Sequence, residues 1–273
     1  MRITLLQDHI FWADKQANLQ KTEHQLRELS GKTDLVVLPE MFTTGFCTNR
    51  LDLAETMQDE TAQHLKRWAT EYKIAIVGSF IATENEWSLS ASASLSNHEA
   101  EVRFYNRSFF VFPNGEIETV DKRHLFTMGG EADLFSNGDK RLIVNYKGFN
   151  IFVLVCYDLR FPVWSRNVNN EYDLLIYTAN WPTSRINVWN TLLAARAIEN
   201  QSFVCGVNRI GTDGENLDHN GNSKLINARG ETVFSAPLNE TSIETIEISL
   251  EELQGFREKF PVWKDADRFA LFP

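Results

Sequence analysis

Short apolar runs punctuate the chain at residues 2–7, 35–39, 73–81, 107–112, 142–146, 149–156, 174–178, 202–207 and 244–248. Their length and their content of β-branched and aromatic side chains predict strands. Helical patterns fall between some of them. One covers 15–30, and in a second Ala62, Leu65, Ala69 and Tyr72 recur at helical spacing within a polar surround. A third covers 187–201, with Trp189, Leu192, Leu193 and Ala197 on one face. Strand and helix alternate, so the pattern predicts a layered α/β domain. Pro113-Asn114-Gly115, Tyr146-Lys147-Gly148 and Ala228-Arg229-Gly230 read as hairpin connections rather than domain linkers. The serine-rich stretch 88–96 alternates with period two, which is compatible with a strand of small residues. Ser249 followed by Glu252 makes a capping box for a last helix that should stop before Pro261. Residues 249–273 are therefore expected to form a C-terminal helix and tail on a single domain spanning 1–273.

Composition narrows the function classes. With 43% hydrophobic and 12% aromatic residues in 273 there is ample material for a core. A formal charge of -10 argues against nucleic acid or an anionic membrane as partner, though a local basic pocket is compatible with it. The three cysteines, Cys47, Cys156 and Cys205, form no CxxC pair, which suggests neither a disulfide framework nor a zinc site. The histidines form no HxH or HExxH cluster, so no metal is expected. The chain opens directly on a strand pattern without a secretory signal, and no apolar stretch approaches the roughly 20 residues of a membrane span. The expectation is a soluble cytoplasmic protein.

Three apolar segments end on reactive groups. Ile151-Phe152-Val153-Leu154-Val155 runs into Cys156, Leu35-Val36-Val37-Leu38-Pro39 into Glu40, and Thr119-Val120-Asp121 into Lys122 and His124. Each alone has a plain explanation: an inert core cysteine, a solvated strand-end carboxylate, an exposed charge cluster. Together they supply what amide hydrolysis requires, a nucleophile, a proton carrier and a cation for the carbonyl oxygen. His124 tempts one toward a Cys/His dyad, but no Asn or Asp partner or peptide groove is signalled. Cys205 belongs to an apolar strand, and Phe109 to Phe112 read as sheet core.

The sequence resembles the carbon–nitrogen hydrolase (nitrilase) superfamily at Leu38-Pro39-Glu40-Met41-Phe42, at Tyr105-Asn106-Arg107 with Asp121-Lys122-Arg123-His124-Leu125-Phe126, and at Val155-Cys156-Tyr157-Asp158-Leu159-Arg160-Phe161-Pro162. Similarity continues through Ala179-Asn180-Trp181-Pro182, Ala195-Arg196-Ala197-Ile198-Glu199-Asn200, Asn208-Arg209-Ile210-Gly211 and Lys259-Phe260-Pro261, and is strongest to the omega-amidase branch. The resemblance implies a four-layer α-β-β-α sandwich, pairing into a homodimer, and a cofactor-free thiol amidohydrolase acting on a small-molecule amide. Cys156 would be the nucleophile, Glu40 the base, and Lys122 the oxyanion cation, which would also favour the thiolate. Glu131, in Gly129-Gly130-Glu131, matches a supporting acid that holds the lysine and base.

A 2-oxo acid monoamide carries a carboxylate far from its amide, so an arginine and some aromatics should line the pocket. Phe42, Tyr157 and Trp181 are expected in the wall. Arg160 and Arg185 are rival carboxylate ligands, although Arg160 could instead be a scaffold residue paired with an acid such as Glu199. A nitrile, a carbamoyl amine or deaminated glutathione would suit the same three groups, and a substrate panel separates these. A silent binding scaffold is the reading from another class; there Cys156 would alkylate no faster than Cys205.

Overall fold

The computed structural model of the chain describes residues 1–84 and 102–270. The stretch 88–96 lies outside the described residues. Two six-stranded sheets account for most of the strands described. The first is built from β1 (Arg2–Gln7), β2 (Leu35–Val37), β3 (Ala75–Thr83), β4 (Phe104–Val111), β5 (Ile117–Asp121) and β14 (Ser242–Glu247), in the order β14-β1-β2-β3-β4-β5. The second holds β6 (Leu142–Tyr146), β7 (Phe149–Val155), β8 (Leu174–Ala179), β9 (Phe203–Asn208), β12 (Lys224–Ile226) and β13 (Thr232–Ser235), in the order β13-β12-β9-β8-β7-β6. Each has a parallel trio at its centre, β1-β2-β3 and β7-β8-β9, flanked by antiparallel neighbours. A short ribbon of β10 (Ile210–Thr212) and β11 (Asp218–Asn220) stands apart.

The unbroken apolar runs exist because both faces of these strands are covered. In β2, Leu35 and Val37 point into the core between the sheets, while Val36 and the following Leu38 point outward under helices. In β7, Ile151 and Val153 face the inter-sheet core, and Phe152 and Leu154 face the opposite layer. Two helices, α1 (Lys15–Leu29) and α2 (Glu60–Tyr72), lay Leu19, Leu26, Leu65 and Trp68 on the outer face of the first sheet. On the second sheet α4 (Ile186–Asn200) does the same with Trp189, Leu193 and Ala197. Its close approach needs Gly206 on β9, where a Cβ would fall 2.7 Å from both Leu193 and Trp189. The result is a single-domain four-layer α-β-β-α sandwich.

The turns follow the expected chemistry. Lys147 and Gly148 both take positive φ, the two-residue geometry that joins β6 to β7 without splaying them. The last helix, α5 (Leu250–Lys259), starts where Ser249 accepts a hydrogen bond from the Glu252 N–H and ends before Pro261. Since β1 pairs with β14, residues near both ends of the chain share one sheet. Among the described residues no helix is long and apolar enough to cross a membrane.

Candidate active site

The parallel trios of the two sheets set the site. The chain leaves β2 through Leu38 and Pro39 and delivers Glu40; it leaves β7 into Cys156, and β8 into Asn180. Polar groups at the carboxyl ends of parallel strands face a shared crevice, the usual location for ligands in such sheets. Lys122 follows β5, and Gly138 allows the next loop to return against it: a Cβ there would lie 2.1 Å from the Asp121 carbonyl oxygen. Glu131 opens the short helix α3 (Glu131–Leu134) in that loop.

Three of these side chains make one buried cluster. Lys122 Nζ donates to Glu40 Oε1 at 3.0 Å and to Glu131 Oε2 at 2.8 Å, and all three residues are 2% exposed or less. Asn106, from β4, donates to both carboxylates, at 2.8 Å to Glu40 and 3.0 Å to Glu131. The other Glu40 oxygen accepts the Asn180 backbone N–H at 2.9 Å, and the Asn180 side chain donates to the Glu40 carbonyl at 2.6 Å. Glu131 Oε2 also accepts the Phe126 N–H at 2.7 Å. Buried charges are tolerable only when paired and saturated with hydrogen bonds in this way. Cys156 lies beside them, with its Sγ 4.0 Å from the Asn180 carbonyl oxygen and its backbone at φ 40°. Positive φ in a residue with a Cβ is strained, and it persists where the surroundings hold it.

Titration follows from this packing. Burial alone would lower the Lys122 ammonium, but Glu131 and Glu40 outweigh it and hold the group well above the ordinary lysine range. Burial pushes the Glu131 carboxyl up, as does the Glu40 charge, against the pull of Lys122. For Cys156, burial, the Glu40 charge and a hydrogen bond to Glu40 raise the thiol well above a free cysteine, and Lys122 offsets only part of this. Lys122 does favour the thiolate, as expected, but burial and the Glu40 charge outweigh it, so the sulfur rests as a thiol whose proton faces a carboxylate. Such an arrangement can transfer that proton at the moment of attack.

The sequence profile described as Carbon-nitrogen hydrolase matches residues 2–258. The chain belongs to the carbon–nitrogen hydrolase family. This hydrolase is 42% identical to omega-amidase YafV of Escherichia coli strain K12 over 272 residues, covering 100% of this chain and 99% of that relative. It is 31% identical to the 2-oxoglutaramate amidase of Bacillus subtilis strain 168, over 96% of each chain. A solved CN-hydrolase superfamily protein from Xanthomonas campestris superposes with a TM-score of 0.90 at 36% identity, covering 100% of this chain and 99% of that one.

In this carbon–nitrogen hydrolase the cluster opens into a cavity of about 610 Å³. Tyr157, Arg160, Trp181 and Arg185 line it with Glu40, Lys122 and Cys156, as the sequence led one to expect; Glu131 stands behind Lys122 and does not line it. Arg160 lies over the Trp181 ring at 5.1 Å and Arg185 over Phe126 at 5.2 Å. Neither is paired with a carboxylate among the described residues, and Glu199, the suggested scaffold partner of Arg160, is taken by Arg196 at 2.8 Å. Phe42 is a correction. It is 3% exposed and packs edge-on to Phe109 at 5.9 Å, outside the cavity wall. The left-handed turn at Met41 (φ 46°) and the bond from Phe42 N–H to the Ser79 carbonyl send the ring into the core under α2. Phe46 lines the cavity instead, with Lys122 Nζ 5.4 Å from its ring centre.

Sequence reasoning placed three asparagines in the matching segments but assigned them no role. Asn106, Asn180 and Asn208, whose Oδ1 accepts the Trp181 N–H at 2.7 Å, are all buried and organise the site. An asparagine within or directly after an apolar strand was the available signal, since burying an amide is costly unless it is bonded. No group of three or more His, Cys, Asp or Glu side chains among the described residues is placed to hold a metal ion.

Proposed function

We propose that this protein is an omega-amidase that hydrolyses the terminal amide of small 2-oxo dicarboxylic acid monoamides such as 2-oxoglutaramate or 2-oxosuccinamate. The observation that carries the reading is one cavity joining the buried Glu40–Lys122–Glu131 cluster and the Cys156 thiol to two arginines that have no ion-pair partner among the described residues. End-to-end similarity to an omega-amidase and to a 2-oxoglutaramate amidase supports the same substrate class.

In this reading Glu40 takes the Cys156 thiol proton as the sulfur adds to the amide carbon. Lys122 donates to Glu40 at 3.0 Å and to both oxygens of Glu131 at 3.1 and 2.8 Å, and in the reaction its ammonium turns one N–H from the forked Glu131 contact to the developing oxyanion, beside the backbone N–H of Tyr157. Glu40 returns the proton to the departing nitrogen, ammonia leaves, and an acyl thioester remains. Water then gives a proton to Glu40, its oxygen adds to the thioester carbon, and the sulfur leaves and recovers the proton. Glu131 reacts with nothing; it holds Lys122 in register. Arg160 or Arg185 binds the far carboxylate, with Tyr157 and Trp181 as walls. Assembly as a homodimer and a reducing, cytoplasmic setting belong to the same reading, and the three free cysteines fit that setting.

The test is turnover of 2-oxoglutaramate and 2-oxosuccinamate against a panel of nitriles, carbamoyl amines and deaminated glutathione, followed by ammonia release for all but the last and by release of the dipeptide amine for deaminated glutathione. Preference for the 2-oxo monoamides is expected. Faster turnover of another class would replace the substrate, and no hydrolysis of any of them with Cys156 intact and reduced would overturn the reaction.

A further inference from the structure

Asp158 follows Cys156 by two residues, in the 3₁₀ turn Cys156–Arg160, and is 1% exposed. Its Oδ2 accepts the backbone N–H of Val155, the residue directly before Cys156, at 3.0 Å. Its Oδ1 accepts two donors from the opposite sheet's loop: the His124 backbone N–H at 3.0 Å and the His124 ring at 2.8 Å through Nδ1. An ionised carboxylate only accepts, so the imidazole is oriented with hydrogen on Nδ1. The ring is clamped, stacked on Phe161 with centroids 3.7 Å apart and 5° between planes. His124 thus has the acidic partner that the sequence did not signal, yet it does not line the cavity, which removes it as a direct acid or base.

From this placement we infer that Asp158 and His124 are positioning residues for the proposed reaction, a clasp that sets the separation of Lys122 from Cys156. One carboxylate bonds to the chain one residue before the nucleophile and two residues after the oxyanion cation, so it spans the gap between the two sheets at the reacting atoms. The same bond to Val155 closes the tight turn in which Cys156 holds φ 40°. Strain of that kind is retained only when neighbours fix the backbone. Losing the His124 ring donor leaves the Asp158 oxygen short of a partner and loosens the lysine side of the clasp, while the nucleophile side remains bonded. A displacement of about an ångström at a reacting centre costs up to roughly a hundredfold in rate.

The inference rests on the assignment of Lys122 and Cys156 made above, and two isosteric changes test it. His124→Asn keeps a donor near the Nδ1 position and discards the aromatic stack; His124→Phe keeps the stack and discards the donor. The clasp predicts that H124F loses about tenfold or more in kcat with KM within about twofold, and that H124N retains most of kcat. If packing alone matters, the order reverses; equal kcat in both, or a loss confined to KM, also overturns the clasp. Thermal midpoints of both variants show whether either has failed to fold, and Asp158→Asn, which disturbs both arms at once, should then exceed H124F in its kcat loss. Wild-type protein that turns over no amide would overturn the assigned reaction itself, a result distinct from active protein with indifferent variants.

Discussion

The two sheets bring unlike halves of the chemistry to one cavity. From the first come Glu40, Lys122 and Asn106, charged or strongly polar groups knitted to one another and to Glu131 by bonds of 2.8 to 3.1 Å. From the second come Cys156 and Asn180, where the proposed nucleophile is a thiol with little bonding of its own and the constraint lies in the backbone, at φ 40°. The contrast reflects what burial costs. A charge removed from water must be saturated, and saturation fixes its position. A thiol carries no such demand, so its aim depends on the turn that bears it.

The nucleophile side should break most completely. Cys156→Ser is expected to keep the fold while turnover falls by about 10⁴-fold or more; steady-state ammonia release with a thermal melt measures both, and substantial residual activity would reassign the nucleophile. Next in size is Lys122→Met, which leaves Glu40 and Glu131 facing each other without a cation. Turnover should drop by on the order of 10²–10³-fold, and stability by about 3–5 kcal/mol. The sign of its pH dependence follows from the carboxyl that burial and Glu40 already raise. A group whose folded pKa lies above its unfolded value favours folding while protonated. The variant's deficit in urea denaturation should therefore shrink as pH falls and grow as pH rises through the folded pKa; a deficit independent of pH would contradict the facing carboxylates.

Smaller effects sharpen the comparison at the substrate's far end. Arg160→Lys and Arg185→Lys, made singly, should separate: the one that holds the carboxylate raises KM for 2-oxoglutaramate about tenfold, roughly 1.4 kcal/mol, with kcat nearly unchanged. Equal small effects would mean that neither is the ligand. The least change concerns the resting thiol. Because its pKa is raised, alkylation of Cys156 by iodoacetamide should keep climbing toward about pH 9 with no plateau near neutrality. It should still outpace Cys47 and Cys205, which are 1% and 0% exposed. A plateau by neutral pH would reveal a preformed thiolate and contradict the thiol state described here.

Much of the scaffold was legible because periodicity reports burial. The run at 149–156 marked a strand covered on both faces, and β7 ends one residue earlier, at Val155. Ser249 and Glu252 located the start of α5 because a capping bond spans three residues and needs no distant partner. Phe42 failed for the opposite reason: an aromatic two residues after Glu40 has no periodic signature of direction, and one left-handed residue at Met41 decides where it points. The asparagines stood in the matching segments, but their roles went unread because their partners are remote in sequence, as with Asn180 and Glu40, 140 residues apart.

The chain alone therefore specified which residue types end the apolar strands, and with them a layered α/β fold bearing an acid, an amine and a thiol. Those features depend on neighbours a few residues away and on the alternation of buried faces. Tertiary structure decided everything that depends on separation in space. It made Glu40 and Glu131 share one ammonium, let burial and Glu40 outweigh Lys122 at the thiol, and left two arginines of the cavity wall without a carboxylate partner among the described residues. Electrostatic energy depends on distance and dielectric, and both are set only when the two sheets pack.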